Sequence, residues 1–430
     1  MAKKLNVGII GSGYSGMAAA VALSERGIPV TVFESAKQLG GRARGLIHHN
    51  TQIDNGQHLL LGCYRETLSM IEKVGGNIDQ DFLSIPLQID LHNQFSLKAP
   101  RLPAPLHLFL ALLNAQGLTW RERFKASRFM LTLRNMNFRL SSDMTVTKLL
   151  QIYGQNENLR LKLWGPLCIA ALNTPIDKAS AQVMLNVLHD SLNQTRTDSD
   201  MLLPRIDFTE LFPQRAATHI KQRGNTVLTS CGVSAIRPNT HSIELTTASN
   251  IHTFSHVICA APPVISANFL RPLQAFSETV AQIDELKHQP IYTLYLQYPK
   301  NIKLPNPMIG LHQCCTQWLF DKGQISGQHG LLVAVISAEG IHQELPQDEL
   351  AIQVTAELHK EFGIADAPIW IKVIAEKRAT FCCSPNLRRP SQQTAHSSLM
   401  LAGDYTAGEY PATLEGAVIS GLKCAQIIAP

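Results

Sequence analysis

Residues Leu5 to Glu34 read LNVGIIGSGYSGMAAAVALSERGIPVTVFE. The apolar opening, Leu5 to Ile10, has the composition of a strand buried on both faces of a parallel sheet. Gly11-Ser12-Gly13-Tyr14-Ser15-Gly16 follows at once, and the alanine-rich run Met17 to Arg26 predicts a helix stopped by Gly27. Val30 to Phe33 predicts a second strand that ends in Glu34. Strand, G-x-G-x-x-G, helix, strand and acid is the order a dinucleotide site needs. Gly11 permits the tight turn, Gly13 lets a pyrophosphate approach the backbone, and Gly16 lets helix pack on strand. The helix start at Tyr14 and Ser15 offers free N–H groups and a partial positive charge to phosphates. Glu34 would accept hydrogen bonds from the adenosine ribose hydroxyls.

The next residues separate a flavin from a nicotinamide. Gly40-Gly41-Arg42-Ala43-Arg44 comes almost immediately after Glu34, and Arg42 and Arg44 are suited to bidentate bonds with pyrophosphate oxygens. This string resembles the G-G-R extension of the glutathione-reductase-like flavoproteins, among them amine oxidases and carotenoid desaturases. The resemblance implies FAD, and it implies that Gly56 and Gln57, in the segment after G-G-R, return beside the flavin ring. No second G-x-G-x-x-G occurs downstream, so a separate NADPH domain is not expected, and no motif identifies the electron donor.

The other half of such a site lies at the far end of the chain. Leu399 to Ala402 predicts a short strand leading into Gly403-Asp404, and Pro411-Ala412-Thr413-Leu414-Glu415-Gly416-Ala417 opens a helix to about Ile428. The resemblance implies that Asp404 meets the ribityl chain. It also implies that the helix start, with Glu415, Gly416 and Ala417, faces the flavin pyrimidine edge, where a helix N-terminus stabilises the charge of a reduced flavin. Between the two ends, Gly224 to Ile236, Ile243 to Leu245 and His256 to Ala261 predict hairpin strands and a strand rejoining the sheet, with Val227 near the adenine.

The expected fold class is α/β: a glutathione-reductase-like, Rossmann-type FAD-binding domain with an interleaved α+β substrate domain. The first comprises 1–85, 205–265 and 385–430; the second comprises 86–204 and 266–384. The bulk numbers agree with a folded chain of this size, since 430 residues at 45% hydrophobic and 17% charged can bury two or three cores. A net charge of +5 is too mild to suggest nucleic-acid binding. Nine cysteines without a C-x-x-C pair suit neither a disulfide framework nor a zinc site, so reduced thiols and no metal are expected. Lys3 and Lys4 precede an apolar stretch that glycines interrupt at once, unlike a signal peptide. No apolar run is long enough to span a bilayer.

Three strings narrow the family: Asp54-Asn55-Gly56-Gln57-His58, the run Trp164 to Pro175 (WGPLCIAALNTP), and Leu203-Pro204-Arg205. With the flavin segments they make the chain resemble, over nearly its full length, the hydroxysqualene dehydroxylases, or squalene-associated FAD-dependent desaturases. The resemblance implies reduction of hydroxysqualene to squalene by reduced FAD, with loss of water, in bacterial squalene and hopanoid synthesis. Ionising an allylic C–O bond gives a delocalised cation that accepts hydride, and the departing hydroxyl needs an acid in a dry pocket. His58 and Asp54 are the candidate acids; equally, Asp54 is placed to hold the Asn55-Gly56 turn and His58 to be structural. Trp164 to Pro175 reads as apolar wall, with Asn173 bonded to backbone. A carotenoid-type desaturase using oxidised FAD is the nearest alternative. An amine oxidase fits less well, because Thr413 stands where that family places a cage aromatic, and a lipid carrier that binds FAD without catalysis fits less well again.

A long isoprenoid substrate calls for a membrane surface. From Lys98 to Arg139 there are eight Lys or Arg and one acid, Glu122. Ala126, Phe129, Met130, Leu133, Met136 and Leu140 recur at helical spacing, with Arg121, Lys125, Arg128 and Arg139 on another face. Segment 98–140 is therefore expected either to lie in a lipid interface, with Leu106 to Leu113 as companion, or to pack on the protein's own core. The interfacial reading places the chain in the cytoplasm, peripheral on the inner face of the cytoplasmic membrane.

Overall fold

The structure, a computed structural model, describes residues 5–430. Lys3, Lys4 and the first four positions of the expected 1–85 segment lie outside the described residues. The labelled elements, in chain order, begin with β1 (Val7–Ile10), α1 (Tyr14–Glu25), β2 (Val30–Phe33), β3 (Gly45–His48) and β4 (Thr51–Asp54). They continue with β5 (Gln88–Leu91), β6 (Phe95–Lys98), α2 (Leu106–Leu113), α3 (Trp120–Asn135), α4 (Gly165–Leu172) and α5 (Ala181–Leu192). The second half adds β7 (Thr226–Leu228), β8 (His256–Cys259), β9 (His288–Gln297), β10 (Met308–Gly310), β11 (Trp318–Asp321), β12 (Leu331–Ser337), β13 (Trp370–Phe381), β14 (Leu399–Leu401) and α6 (Leu414–Ile428).

A parallel sheet in the order β7-β2-β1-β8-β14 draws its strands from the front, the middle and the tail of the chain. β1 is buried at all four positions, as a strand covered on both faces must be. The first and last helices, α1 and α6, pack against each other beside the sheet. Their approach is close: a Cβ on Gly421 would stand 2.0 Å from the Ser15 carbonyl oxygen. The chain's two ends thus share one core.

A second, seven-stranded sheet runs β13-β9-β12-β11-β10-β5-β6, antiparallel except where Gly310 of β10 pairs with Leu91 of β5. Helices α2 to α5 share a common apolar core with it, α2 lying against β6 and the α4–α5 turn reaching β9 and β13 through Asn173. One small sheet crosses the expected division. Met201–Pro204 pairs with Leu60–Leu61 and with Phe82–Ile85, so the strand just before the expected boundary at 205 is hydrogen-bonded to the cofactor side.

The basic segment resolves in favour of the core. Thr119 caps α3 reciprocally with Glu122. Burial alone would raise the Glu122 carboxyl, but bonds from Asn156, Thr119 and Asn158 hold it down to about 2. Ala126, Phe129, Met130 and Leu133 are buried against the neighbouring helices, so the apolar face expected to meet lipid is an internal face. The outward surface carries a different apolar set: Leu106 and Leu110 on α2, and Trp120, Phe124 and Leu131 on α3. Among the described residues no helix is long and apolar enough to cross a membrane. All nine cysteines are free thiols.

Candidate active site

A single cavity of about 960 Å³ runs from the parallel sheet into the helical cluster. One end is polar and tight-turned; the other is walled by Leu, Met and Trp side chains. Of the residues read from sequence as cofactor contacts, Gly11, Gly13, Tyr14, Ser15 and Glu34 line the first end, with Gly41, Arg42, Arg44, Gly56, Gln57, Gly403, Asp404 and Ala417. The chain ends therefore converge on one space, as the two motifs require.

The local geometry at that end suits an anionic dinucleotide. Helix α1 starts at Gly13 with no side chain capping it, which leaves its first N–H groups to an incoming phosphate. An added Cβ at Gly13 would find nothing nearer than the Gly40 carbonyl oxygen at 4.0 Å, whereas one at Gly16 would stand 2.1 Å from the Gly11 oxygen. Gly13 keeps space open and Gly16 closes a contact. The Glu34 carboxylate is pre-aimed: Ser12 N–H and hydroxyl donate to one oxygen at 2.9 and 2.6 Å, and Ala36 N–H donates to the other at 2.8 Å. Gln57 Oε1, Thr293 Oγ1 and His288 Nε2 are buried on the cavity wall with no partner in the protein. Buried polar atoms left open inside a cavity are what a polar occupant would satisfy. The residues present therefore fit FAD.

Several expected contacts are placed otherwise. Arg42 does not reach forward freely: its guanidinium bonds the Ala379 carbonyl at 2.6 Å and the Asp404 carboxylate at 2.5 Å, bridging the two halves of the cradle. Arg44 turns back to the Gly41 carbonyl at 2.6 Å. Gly16 lies behind the cavity wall, serving packing. Val227 is in β7, paired with Val32, and Val233 lines the cavity in its stead. Glu415 and Gly416 do not line the cavity. Glu415 accepts from Glu66 N–H, Thr67 N–H and the Thr67 hydroxyl at 3.0, 2.9 and 2.6 Å, fastening the start of α6 to a neighbouring helix. Gly416 donates its N–H to the capping Thr413 hydroxyl at 3.1 Å.

Neither candidate acid is placed as one. Asp54 faces away, into a separate polar cavity of about 460 Å³ shared with Lys322, Asp207 and Arg215. Its Oδ1 accepts from Phe208 N–H at 2.9 Å, and burial pushes its carboxyl up to about 7. His58 does line the flavin-side cavity. There desolvation pulls its imidazole down to about 4, so it is neutral at pH 7, with Nδ1 donating to the Gly56 carbonyl at 2.8 Å. A neutral ring so bonded presents Nε2 as an acceptor, not a proton. The D-N-G-Q-H string is a partition, Asp54 on one side and Gly56 to His58 on the other.

Trp164 to Pro175 is wall, as read: Trp164, Leu167 and Ala170 to Asn173 line the chamber. Asn173 fixes three elements, donating to Pro290 O and Thr380 Oγ1 and accepting from Ala338 N–H at 2.7 Å. Sequence reasoning missed the rest of the chamber, including Leu112, Met184, Leu188, Met308, Trp318 and Phe320. It also missed Asp190 and Tyr410, polar residues on the cavity wall. No local motif marks them; they are brought together only by the fold.

Comparison with known proteins agrees with this architecture. Residues 14–429 match the family described as flavin containing amine oxidoreductase. The chain is 27% identical over 441 residues to the hydroxysqualene dehydroxylase of Sinorhizobium fredii, covering 98% of each chain. It is 27% identical over 451 residues to that of Rhodopseudomonas palustris, again covering 98% of each. It is also 24% identical over 487 residues to a zeta-carotene desaturase of Arabidopsis thaliana, covering 99% of this chain and 85% of that one. Among solved structures, an oxidoreductase from Methanosarcina mazei superposes with a TM-score of 0.79 at 15% identity, covering 98% and 100% of the two chains. Cyclohexylamine oxidase from Brevibacterium oxydans gives 0.72 at 17% identity, covering 99% of each. These structures bear on the fold alone. The α/β fold, the FAD cofactor and the oxidoreductase class read from the sequence all stand. The chain is an FAD-dependent oxidoreductase and belongs to the flavin-containing amine oxidoreductase family.

Proposed function

We propose that this enzyme removes the hydroxyl of hydroxysqualene reductively, yielding squalene and water in bacterial squalene and hopanoid synthesis. The observation that carries the reading is the shape of the cavity: a flavin cradle opening without a barrier into a chamber walled by Leu, Met and Trp. Such a chamber suits a long hydrocarbon, whose transfer from water is favourable at about 25 cal/mol per Å² buried. Bound FAD, when reduced, supplies hydride. The chain's own residues hold the cofactor phosphates at the start of α1, order the ribose at Glu34, and exclude water from the reacting carbon with the chamber wall. The similarity to two hydroxysqualene dehydroxylases supports the substrate class.

The substrate would arrive from lipid. Helix α2 has two faces of use: Leu108 and Leu112 line the cavity, while Leu106 and Leu110 are exposed beside Trp120 and Phe124 of α3. Arg121, Lys125 and Arg128 flank that patch and are exposed. The pattern fits peripheral attachment to anionic lipid on the inner face of the cytoplasmic membrane, though through other apolar residues than the spacing suggested. Reversing the three charges is expected to weaken liposome binding by more than about 100-fold at low salt, since their loss alone removes roughly 1 kcal/mol per basic residue. Unchanged flotation with anionic vesicles would remove the membrane reading.

The reaction itself is tested by product mass. Holoenzyme kept reduced under anaerobic conditions should convert hydroxysqualene to squalene and leave phytoene untouched. Dehydrogenation of phytoene by the oxidised holoenzyme, with hydroxysqualene inert, would assign the desaturase reaction instead.

A further inference from the structure

The proposed reaction needs a proton for the departing hydroxyl; Asp54 faces another cavity, and His58, though it lines this one, has Nδ1 engaged by the Gly56 carbonyl. Two further polar side chains, Tyr410 and Asp190, line the cavity as a bonded pair. Tyr410 lies three residues before Thr413, the cap of α6, and Asp190 lies on α5, whose Met184, Val187 and Leu188 wall the chamber. Both face the cavity, and the Tyr410 hydroxyl donates to Asp190 Oδ2 at 2.7 Å. On the carboxylate's other oxygen, His189 Nδ1 stands 2.7 Å away. The His189 side chain is 38% exposed, so the chain His189–Asp190–Tyr410 leads from solvent to the cavity wall.

We propose that Tyr410 and Asp190 are the proton-delivery pair of this site, Tyr410 giving its phenolic proton to the hydroxyl oxygen of a bound allylic alcohol. The inference rests on the dehydroxylation reading. The C–O bond breaks with both electrons going to oxygen, and that oxygen leaves as water with the Tyr410 proton. As the Tyr410 hydroxyl turns from Asp190 to the substrate oxygen, a proton entering from solvent at His189 crosses Asp190 to Tyr410 Oη in the same event. The allylic carbon takes the hydride that reduced FAD supplies, so the flavin is oxidised by two electrons and the alcohol becomes a hydrocarbon. Concerted passage matters here. Burial and the Asp190 carboxylate both push the Tyr410 phenol far up, so a free tyrosinate beside a carboxylate is avoided. The same pressure keeps the phenol protonated until a leaving group needs it. The carboxylate left on Asp190 then faces the developing cation, which it stabilises.

The test compares hydroxysqualene with its acetate ester, whose leaving group departs without a proton. Pre-reduced holoenzyme is mixed with each under anaerobic conditions, and flavin reoxidation and squalene are followed in one turnover. Tyr410→Phe and Asp190→Asn should lose about 100-fold or more on the alcohol, the usual contribution of a general acid, and less than about tenfold on the ester. Tyr64→Phe, which removes a neighbouring phenol on the same wall, should leave the ratio of the two rates unchanged. Full activity of Tyr410→Phe on the alcohol would overturn the inference, and so would equal losses on both substrates, which mark a merely positional role. A wild-type holoenzyme inert toward the alcohol would overturn the dehydroxylation reading and the inference with it. The wild-type rate on the alcohol therefore reports on the reading, and the variant rates report on the pair.

Discussion

At the cradle end of the cavity one added methyl group meets backbone, and at the chamber end it meets other side chains. A Cβ at Gly11 would lie 2.7 Å from the Ala260 oxygen, and one at Gly16 would lie 2.1 Å from the Gly11 oxygen. Backbone cannot swing aside. In the chamber, Leu112, Met130, Met184 and Leu188 present flexible side chains that repack, and volume-conserving exchanges there cost less than about 1.5 kcal/mol. The cradle is defined by where the main chain must go, the chamber by how much volume remains. The first admits few sequences and the second admits many.

That contrast can be broken at its strongest point first. Gly16→Ala is expected to destabilise the fold by about 3 kcal/mol or more, read as a lower Tm and a colourless product. Gly13→Ala should keep its apoprotein Tm, since its Cβ has room, yet lose most of its flavin on gel filtration. A Gly16→Ala protein as stable and as yellow as wild type would refute the backbone argument. At the other end, Ala171→Trp narrows the chamber and should lower kcat/KM for hydroxysqualene about 100-fold, while flavin absorbance per chain stays unchanged. Loss of flavin in that variant would mean the two ends are not separable.

Smaller effects sharpen the same division. Glu415→Ala leaves Glu66 and Thr67 N–H groups without their buried acceptor, at a cost of about 1–3 kcal/mol in denaturant unfolding. Flavin content of the folded fraction should hold, because Glu415 does not line the cavity. Asp54→Asn should act on stability with pH and hardly on turnover. The Asp54 carboxyl is raised to about 7 in the fold, so the folded protein keeps a proton that the unfolded chain releases near 4. Its contribution is most favourable below about 4 and is lost as pH rises through about 7, about 4 kcal/mol over the whole window. Asparagine keeps an acceptor for Phe208 N–H without the charge. The drop in Tm from pH 5 to pH 8 should therefore be smaller in Asp54→Asn, with turnover within about twofold of wild type.

How much was legible follows from the same physics. G-x-G-x-x-G, G-G-R and the Gly403-Asp404 step announce themselves because backbone geometry demands particular residues at fixed spacing. Glu415 was read from the motif as a cofactor contact, whereas its carboxylate fastens the start of α6 to Glu66 and Thr67, a role that only the fold reveals. Segment 98–140 was legible as amphipathic but not as to what it faces: a helix packed on its own core and one lying on lipid have the same periodicity. Beyond Trp164 to Pro175, the chamber and the Tyr410–Asp190 pair left no mark, since residues 190 and 410 have no shared pattern and meet only after α5 and the α6 loop are in place.

The account stands most directly on a single turnover. Holoenzyme is reduced, freed of excess reductant, and mixed anaerobically with hydroxysqualene while flavin absorbance and squalene are recorded together. One squalene formed for each flavin reoxidised is the predicted result. A flavin that stays reduced, with the alcohol recovered intact, would contradict the claim that cradle and chamber act on this substrate as one site.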